Sequence, residues 1–174
     1  RVVKGVSFNV RSGEIVGLAG LIGAGRTEMA MSIFGHQYGV NASGKIYLNG
    51  KETELPTVTS AIKKGIAYAT EDRKRYGLNL LSTIRENTSL ASLGHLSRHG
   101  VIDRSREALL AEKYRKELRT KAPTIEMPAG NLSGGNQQKV VLAKWMAADP
   151  QVLILDEPTR GIDVGAKYDI YEII

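Results

Sequence analysis

The chain contains no cysteine, which excludes disulfides and thiolate metal sites, fits a reducing compartment and leaves oxygen or imidazole for any metal. Long apolar runs are missing as well: no stretch approaches the roughly 18 residues a membrane span needs. The opening RVVKGVSFNV lacks the charged and apolar regions of a signal peptide. Any membrane contact is therefore expected to be peripheral. Aromatic residues are scarce, at 6% of the chain. Trp145 and the seven tyrosines read as core or rim packing rather than a base-stacking platform, and no adenine-stacking residue stands out. The three histidines, His36, His95 and His99, fall in loop-like contexts and read as surface residues.

What is present is enough for one buried domain: 174 residues with 42% hydrophobic content match a globular class. The net charge of +6 is unevenly placed, with ten Lys/Arg against five Asp/Glu between positions 75 and 121. That surplus is either a solvated surface or a basic contact face for an acidic partner.

Val6, Phe8 and Val10 alternate with polar residues, RSGE supplies a turn, and 14–19 is almost continuously apolar. The pattern predicts a hairpin feeding a buried strand that runs into a glycine loop. A helix follows over 26–34, then a hairpin around Asn49-Gly50, a short helix over 58–64 and a strand over 66–70. From about Gly77 to Pro128 the strand signals stop. Within that stretch 105–119 places Leu110, Tyr114 and Leu118 on one helix face, with Glu112 and Lys116 as an i,i+4 pair. A helix through Met146 comes next, then the unbroken apolar run Val152 to Leu155, which marks a strand buried on both faces. Asp163 is placed to cap a last helix through Tyr168, Ile170, Tyr171 and Ile174. With no stop signal before the chain ends, the expectation is a fragment truncated within a helix.

Three stretches carry chemistry. GLAGLIGAGRTEM, residues 17–29, follows the phosphate-loop pattern G-x-x-x-x-G-K-[ST] except that Arg26 stands in place of lysine. A strand, a glycine loop and a helix start bring backbone N–H groups and the positive end of a helix dipole onto a phosphate. The expected contacts are Gly20, Leu21, Ile22, Gly23, Ala24, Gly25, Arg26 and Thr27, with the Thr27 hydroxyl offered to Mg²⁺; a structural glycine turn is the alternative. In VLILDEP, 152–158, Asp156 and Glu157 stand at the carboxyl end of a strand, where open parallel sheets bind ligands. Asp156 can hold Mg²⁺ and Glu157 can accept a proton from an attacking water, or the two simply open a turn before Pro158. In NLSGGNQQK, 131–139, a Ser-Gly-Gly helix start presents N–H donors and a hydroxyl to an anion, or serves only as a cap.

Taken in order, GLIGAGRT, LSGGNQQK and VLILDEPTRGID resemble the Walker A loop, signature motif and Walker B strand with D-loop of ABC-transporter ATPases. The likeness is closer to the second, C-terminal nucleotide-binding cassette of bacterial monosaccharide importers of the ribose, xylose and galactose type, which similarly carry GAGRT, an EDRK stretch and DEPTRGIDVGAK. The resemblance covers essentially the whole chain. It implies an α/β P-loop NTPase fold of ABC type, with a mixed central sheet, an antiparallel flank and an inserted helical subdomain. The core would be 1–76 and 131–174, and the insert 77–130. It also implies ATP and Mg²⁺ as cofactors, and two cassettes meeting head to tail, so that Leu132, Ser133, Gly134, Gly135 and Asn136 serve the partner's ATP. Transmembrane permease subunits would be the direct partners and a periplasmic sugar-binding protein an indirect one, with the chain peripheral on the cytoplasmic face of the inner membrane and no nucleic acid bound.

Three further departures from the ABC pattern stand out. Glu71 occupies the place of the Q-loop glutamine, a metal-approaching position at which a carboxylate cannot donate. Asn136 replaces the last glutamine of LSGGQ. The family's switch histidine would lie beyond residue 174. The run EDRKR, 71–75, is either a solvated loop or part of a permease-facing lever. Two rivals remain at this point: a cassette that binds ATP with little turnover, motivated by Arg26, and an ABC protein acting on nucleic acid, supported by positive charge alone.

Overall fold

The computed structural model describes residues 3–35 and 43–174, which fall into two compact units, residues 1–61 and 62–174. His36 lies outside the described residues.

In the first unit the glycine loop leads into helix α1 (Arg26–Ile33). Its end turns through Gly35 at φ 78°, where an added Cβ would lie 2.3 Å from the Val58 backbone nitrogen. Only glycine fits a left-handed turn pressed that closely on another backbone. Strands β1 (Tyr47–Leu48) and β2 (Lys51–Glu52) pair antiparallel about Asn49 and Gly50, both left-handed, the geometry a two-residue hairpin requires. Helix α2 spans Val58–Lys63.

The expected hairpin over 6–19 does not form. RSGE makes its turn, with Glu14 N–H donating to Arg11 C=O at 3.1 Å, but no strand flanks it. Val6, Phe8, Val10, Ile15 and Leu18 remain exposed. A strand exists through the ladder it makes with a neighbour, and no strand among the described residues pairs with this segment.

The second unit is built on a parallel pair, β3 (Ile66–Ala69) and β6 (Val152–Leu155), in the register Ile66 to Val152 through Ala69 to Leu155. All four residues of β3 are buried, whereas Leu153 of β6 is 37% exposed. The run 152–155 is thus not buried on both faces as its composition suggests, because β3 is the one strand among the described residues that pairs with it. The Asp156 N–H donates to Ala69 C=O at 2.9 Å and extends the ladder by one step.

Between the two strands, helices α3 (Ile84–Ser89), α4 (Leu93–Leu96) and α5 (Arg104–Glu117) form the expected helical stretch. Thr83 and Glu86 form a capping box on α3, and Asp103 accepts from Ser105 and Arg106 N–H at the start of α5. One feature of this stretch is contrary to expectation: a small hairpin, β4 (Ser97–Arg98) with β5 (Val101–Ile102), turns at His99 and Gly100, both left-handed. Two residues per strand are too few to leave an alternation in the sequence. His95 and His99 are exposed, as expected of surface histidines.

Helix α6 (Gly134–Met146) is buried along most of its length. Tyr114 of α5 and Leu118 just past its end pack with Leu142 and Ala143 of α6 and with Ile170 of α7 (Val164–Ile173), and Leu110 lies against the same cluster. The face anticipated on α5 is therefore the face it buries. Trp145 is in the core at 7% exposure, and Asp163 caps α7 by accepting the Ala166 N–H at 2.9 Å.

Candidate nucleotide site

The candidate residues fall in both units. In the first, residues 20–24 are exposed and Gly25 is buried as the residue before α1. Gly23 and Gly25 have φ of 82° and 86°, a conformation that turns successive peptide planes so that N–H groups gather on one side. The Ala24 N–H closes a turn onto Leu21 C=O at 3.0 Å, and a Cβ at Gly20 would come within 3.0 Å of the Ala24 Cβ. The loop therefore curls tightly on itself, and Gly20 is the position where a side chain would obstruct that curl. Leu21 and Ile22, at 86% and 102% exposure, project from it into solvent. Arg26 and Thr27 are half-buried in the first turn of α1. A cleft of about 180 Å³ beside the loop is lined by Val6, Leu18, Ala24, Arg26 and Met29 among others. That is below the roughly 300 Å³ of an ordinary small-molecule pocket, so these residues form an open cleft rather than an enclosing one.

In the second unit, parallel pairing brings the carboxyl ends of β3 and β6 to one edge, which aligns the 70–73 segment with Asp156 and Glu157. Asp156 is 8% exposed, and the Tyr68 hydroxyl donates to its Oδ2 at 2.9 Å. A buried carboxylate needs such donors to offset lost hydration. Glu157 is exposed and left-handed, with φ 47°. Pro158 disfavours the right-handed helical region at the residue before it, and a left-handed non-glycine residue is strained by about 1 kcal/mol or more. Asn49, His99, Arg119 and Asp149 are left-handed as well; Glu157 differs from them in standing one residue past a buried aspartate at a sheet edge.

Glu71 forms an ion pair with Arg160. The expectation that Glu71 approaches a metal thus meets a competing partner, and metal contact would require the pair to open. The basic run divides. Lys74 and Arg75 are exposed, but Arg73 is buried at 9% exposure. Its Nη1 donates to Arg160 C=O at 2.8 Å, its Nη2 to Gly161 C=O at 3.1 Å and its Nε to Gln137 Oε1 at 3.4 Å. Burial lowers the Arg73 pKa, and neighbouring Asp72 raises it in part. Arg73–Gly77 forms a π-helical turn capped by Asp72 Oδ1, which accepts from Lys74 and Arg75 N–H.

The signature residues open α6. Leu132 is buried, Ser133 is exposed at the cap position, and Gly135 is buried. Lys121 N–H donates to Asn136 Oδ1 at 2.8 Å and Asn136 Nδ2 donates to Ser133 Oγ at 2.9 Å. With a backbone donor fixing the amide orientation, the Ser133 oxygen accepts a hydrogen bond and its own O–H can be directed outward. The two glycines also have an internal role that their motif does not announce. A Cβ at Gly134 would lie 2.7 Å from Arg73 Nη2, and one at Gly135 would lie 2.4 Å from the Ala166 Cβ.

Tyr68, Arg73, Gln137 and Arg160 were not legible as site residues. Gln137 sits in a quoted motif and Arg73 in a basic run, but what distinguishes them, partners 64 to 88 residues away, leaves no local pattern. Among the described residues no group of three or more His, Asp or Glu gathers as a metal cluster.

With this geometry in view, a sequence model of ABC transporters matches residues 3–160. The chain belongs to the ABC transporter family. It is 56% identical, over its whole length, to the xylose import ATP-binding protein of Thermoanaerobacter pseudethanolicus, and 54% to the L-arabinose transport ATP-binding protein of Geobacillus stearothermophilus. It is 52% identical over 97% of its length to the ribose import ATP-binding protein of Bacillus subtilis. The ABC chain spans about a third of these relatives, 34% in each. Its fold matches that of the dimeric ATP-binding cassette MJ0796 in a post-hydrolysis state with ADP and Pi, at a TM-score of 0.79 and 23% identity over 99% of this chain and 72% of that one. The expected P-loop fold of ABC type is thereby borne out.

Proposed function

We propose that this chain is the ATP-binding and ATP-hydrolysing cassette of a monosaccharide importer. The observation that carries the reading is the edge of the β3–β6 pair, where buried Asp156, held by Tyr68, is followed by Glu157 in a strained, solvent-facing conformation. In the first unit, the curled glycine loop before α1 has the glycine-rich geometry of a phosphate-binding loop. Relatives above 50% identity named for xylose import, L-arabinose transport and ribose import support a monosaccharide system.

In this reading the loop residues Gly20 to Thr27 bind the phosphates of ATP. Thr27 and Asp156 are the oxygen donors suited to Mg²⁺, a hard cation, with Glu71 able to join only if it leaves Arg160. When bound, Mg²⁺ would neutralise charge on the β- and γ-phosphates. Glu157 orients water and accepts its proton. Residues 77–130 are the helical subdomain inserted into a core of 1–76 and 131–174. The cassette is the second of two in a longer protein, and Leu132 to Asn136 complete the partner cassette's site. Permease subunits dock near Glu71 and the basic helical stretch, with a periplasmic sugar-binding protein acting through them. The chain sits on the cytoplasmic face of the inner membrane; among its described residues no helix is long and apolar enough to cross one.

Arg26 favours a second reading, in which ATP is bound and turned over slowly. Arginine spreads its charge over a planar fork with longer reach, whereas lysine places a compact ammonium. Backbone donors preserve affinity, but misplacing charge on the departing γ-phosphate by about 1 Å costs on the order of 100-fold in rate. The test assembles the full-length protein with its permease, silences the other site and compares Arg26 with Arg26→Lys. Equal ATP affinity with faster single-turnover hydrolysis by the lysine variant is expected; equal rates would remove the slow-site reading.

A further inference from the structure

Arg73 holds together three segments that the motifs treat as separate. It leaves β3 through the Glu71 loop, its forked guanidinium takes two consecutive carbonyls, Arg160 and Gly161, of the loop after β6, and its Nε meets Gln137 of α6. Gln137 in turn donates through Nε2 to Ala129 and Leu132 C=O at 3.3 and 3.2 Å, which fixes the residue just before Ser133. Gly161, at φ 65°, belongs to the turn that presents those carbonyls. The close approach at Gly134, 2.7 Å from Nη2 to a notional Cβ, shows that α6 begins directly on the guanidinium. The Glu71–Arg160 ion pair adds a second link between the same two loops.

The planar fork explains why the residue is arginine. A buried guanidinium satisfied by neutral acceptors retains its proton and its planar fork, and the fork spans two carbonyls at once; an ammonium has the charge without that reach. Loop and helix start are therefore set relative to each other by one side chain rather than by the backbone of either.

We propose that Arg73 is a positioning residue for hydrolysis: it holds the Ser133–Asn136 stretch at a fixed distance from the 160–161 loop, and the site which that stretch completes on a partner cassette depends on it. The inference rests on the reading of Leu132 to Asn136 as serving the partner's ATP.

The experiment uses the full-length protein with its permease, with Glu157→Gln silencing this cassette's own site so that remaining turnover reports the other. Into this background go Arg73→Met, Arg73→Lys and, separately, Ser133→Ala. Amide hydrogen exchange is read over 132–136 and 159–162, and hydrolysis is resolved into kcat and KM for ATP. In both Arg73 variants, loss of charge-assisted hydrogen bonds is expected to lower protection of both stretches together by about tenfold and kcat by about tenfold, with KM within about twofold. Unchanged protection in either stretch, unchanged kcat, or a lysine variant indistinguishable from the native protein overturns the proposal. If Ser133→Ala abolishes hydrolysis while Arg73→Met does not, the positioning role alone is overturned; if neither affects hydrolysis, the assignment of the signature stretch falls with it. Gly134→Ala gives a readout with the arginine in place, and covers the case in which the Arg73 variants do not fold. Its methyl should press on the guanidinium and raise exchange at 159–162, and combined with Arg73→Met its effect should be less than additive. No change at 159–162, or strict additivity, overturns the proposal.

Discussion

At the residue scale, the account turns on side chains held in costly states. Glu157 sits in a left-handed conformation that glycine would adopt without penalty. Glu157→Gly is accordingly expected to stabilise the fold by about 1 kcal/mol while abolishing hydrolysis, which denaturant unfolding alongside an ATPase assay would check. Lys144 is a second case. It is 5% exposed on α6, donates to Gly77 C=O at 2.5 Å and lies over the Trp145 ring. Burial pulls its pKa down to about 8 from 10.5. The unfolded chain then holds more protons than the folded one between those values, so stability should climb as pH rises through that interval. Most of the penalty for burying the charge, on the order of 3 kcal/mol, is present below pH 8. Unfolding free energies of native chain and Lys144→Met compared from pH 7 to 10.5 should converge on a rising native curve; parallel curves would show that Lys144 keeps its ordinary proton affinity.

At the element scale, what was legible in the sequence is what local chemistry decides. The capping residue Asp163, the Asn49-Gly50 turn and the buried face of α5 were all readable because a helix start or a hairpin is specified within four residues. The segment 6–19 was not, because alternation states a preference for a ladder without supplying the neighbour. The signature glycines illustrate the same limit. As a motif they read as donors to a ligand, yet Gly135 also lets α6 approach α7, with Ala166 where its Cβ would be. Gly135→Ala should therefore destabilise the chain by about 1–3 kcal/mol through overpacking. In an Ala166→Gly background the same change should cost far less, a coupling that a double-mutant cycle measures. Consequently a bulky acidic residue at Gly135 would not isolate the partner site, and exposed Ser133 is the cleaner probe.

At the scale of the whole molecule, the residues of the proposed function fall in both units. The glycine loop belongs to residues 1–61, and Asp156, Glu157 and the signature stretch belong to 62–174. The motifs singled out the proposed site residues from sequence, whereas Tyr68 and Arg73, which contact Asp156 and the 160–161 loop, emerged only from pairings across the fold. The central claim is that this chain hydrolyses ATP through Glu157 to energise sugar import. The most direct test reconstitutes the full-length protein with its permease in vesicles, silences the other site, and measures ATP binding and single-turnover hydrolysis for native Glu157 and Glu157→Gln. The account predicts equal ATP binding and a loss of hydrolysis on the order of 100-fold or more in the variant, as for removal of a general base. Hydrolysis undiminished in Glu157→Gln, or native protein that fails to bind ATP, would contradict it.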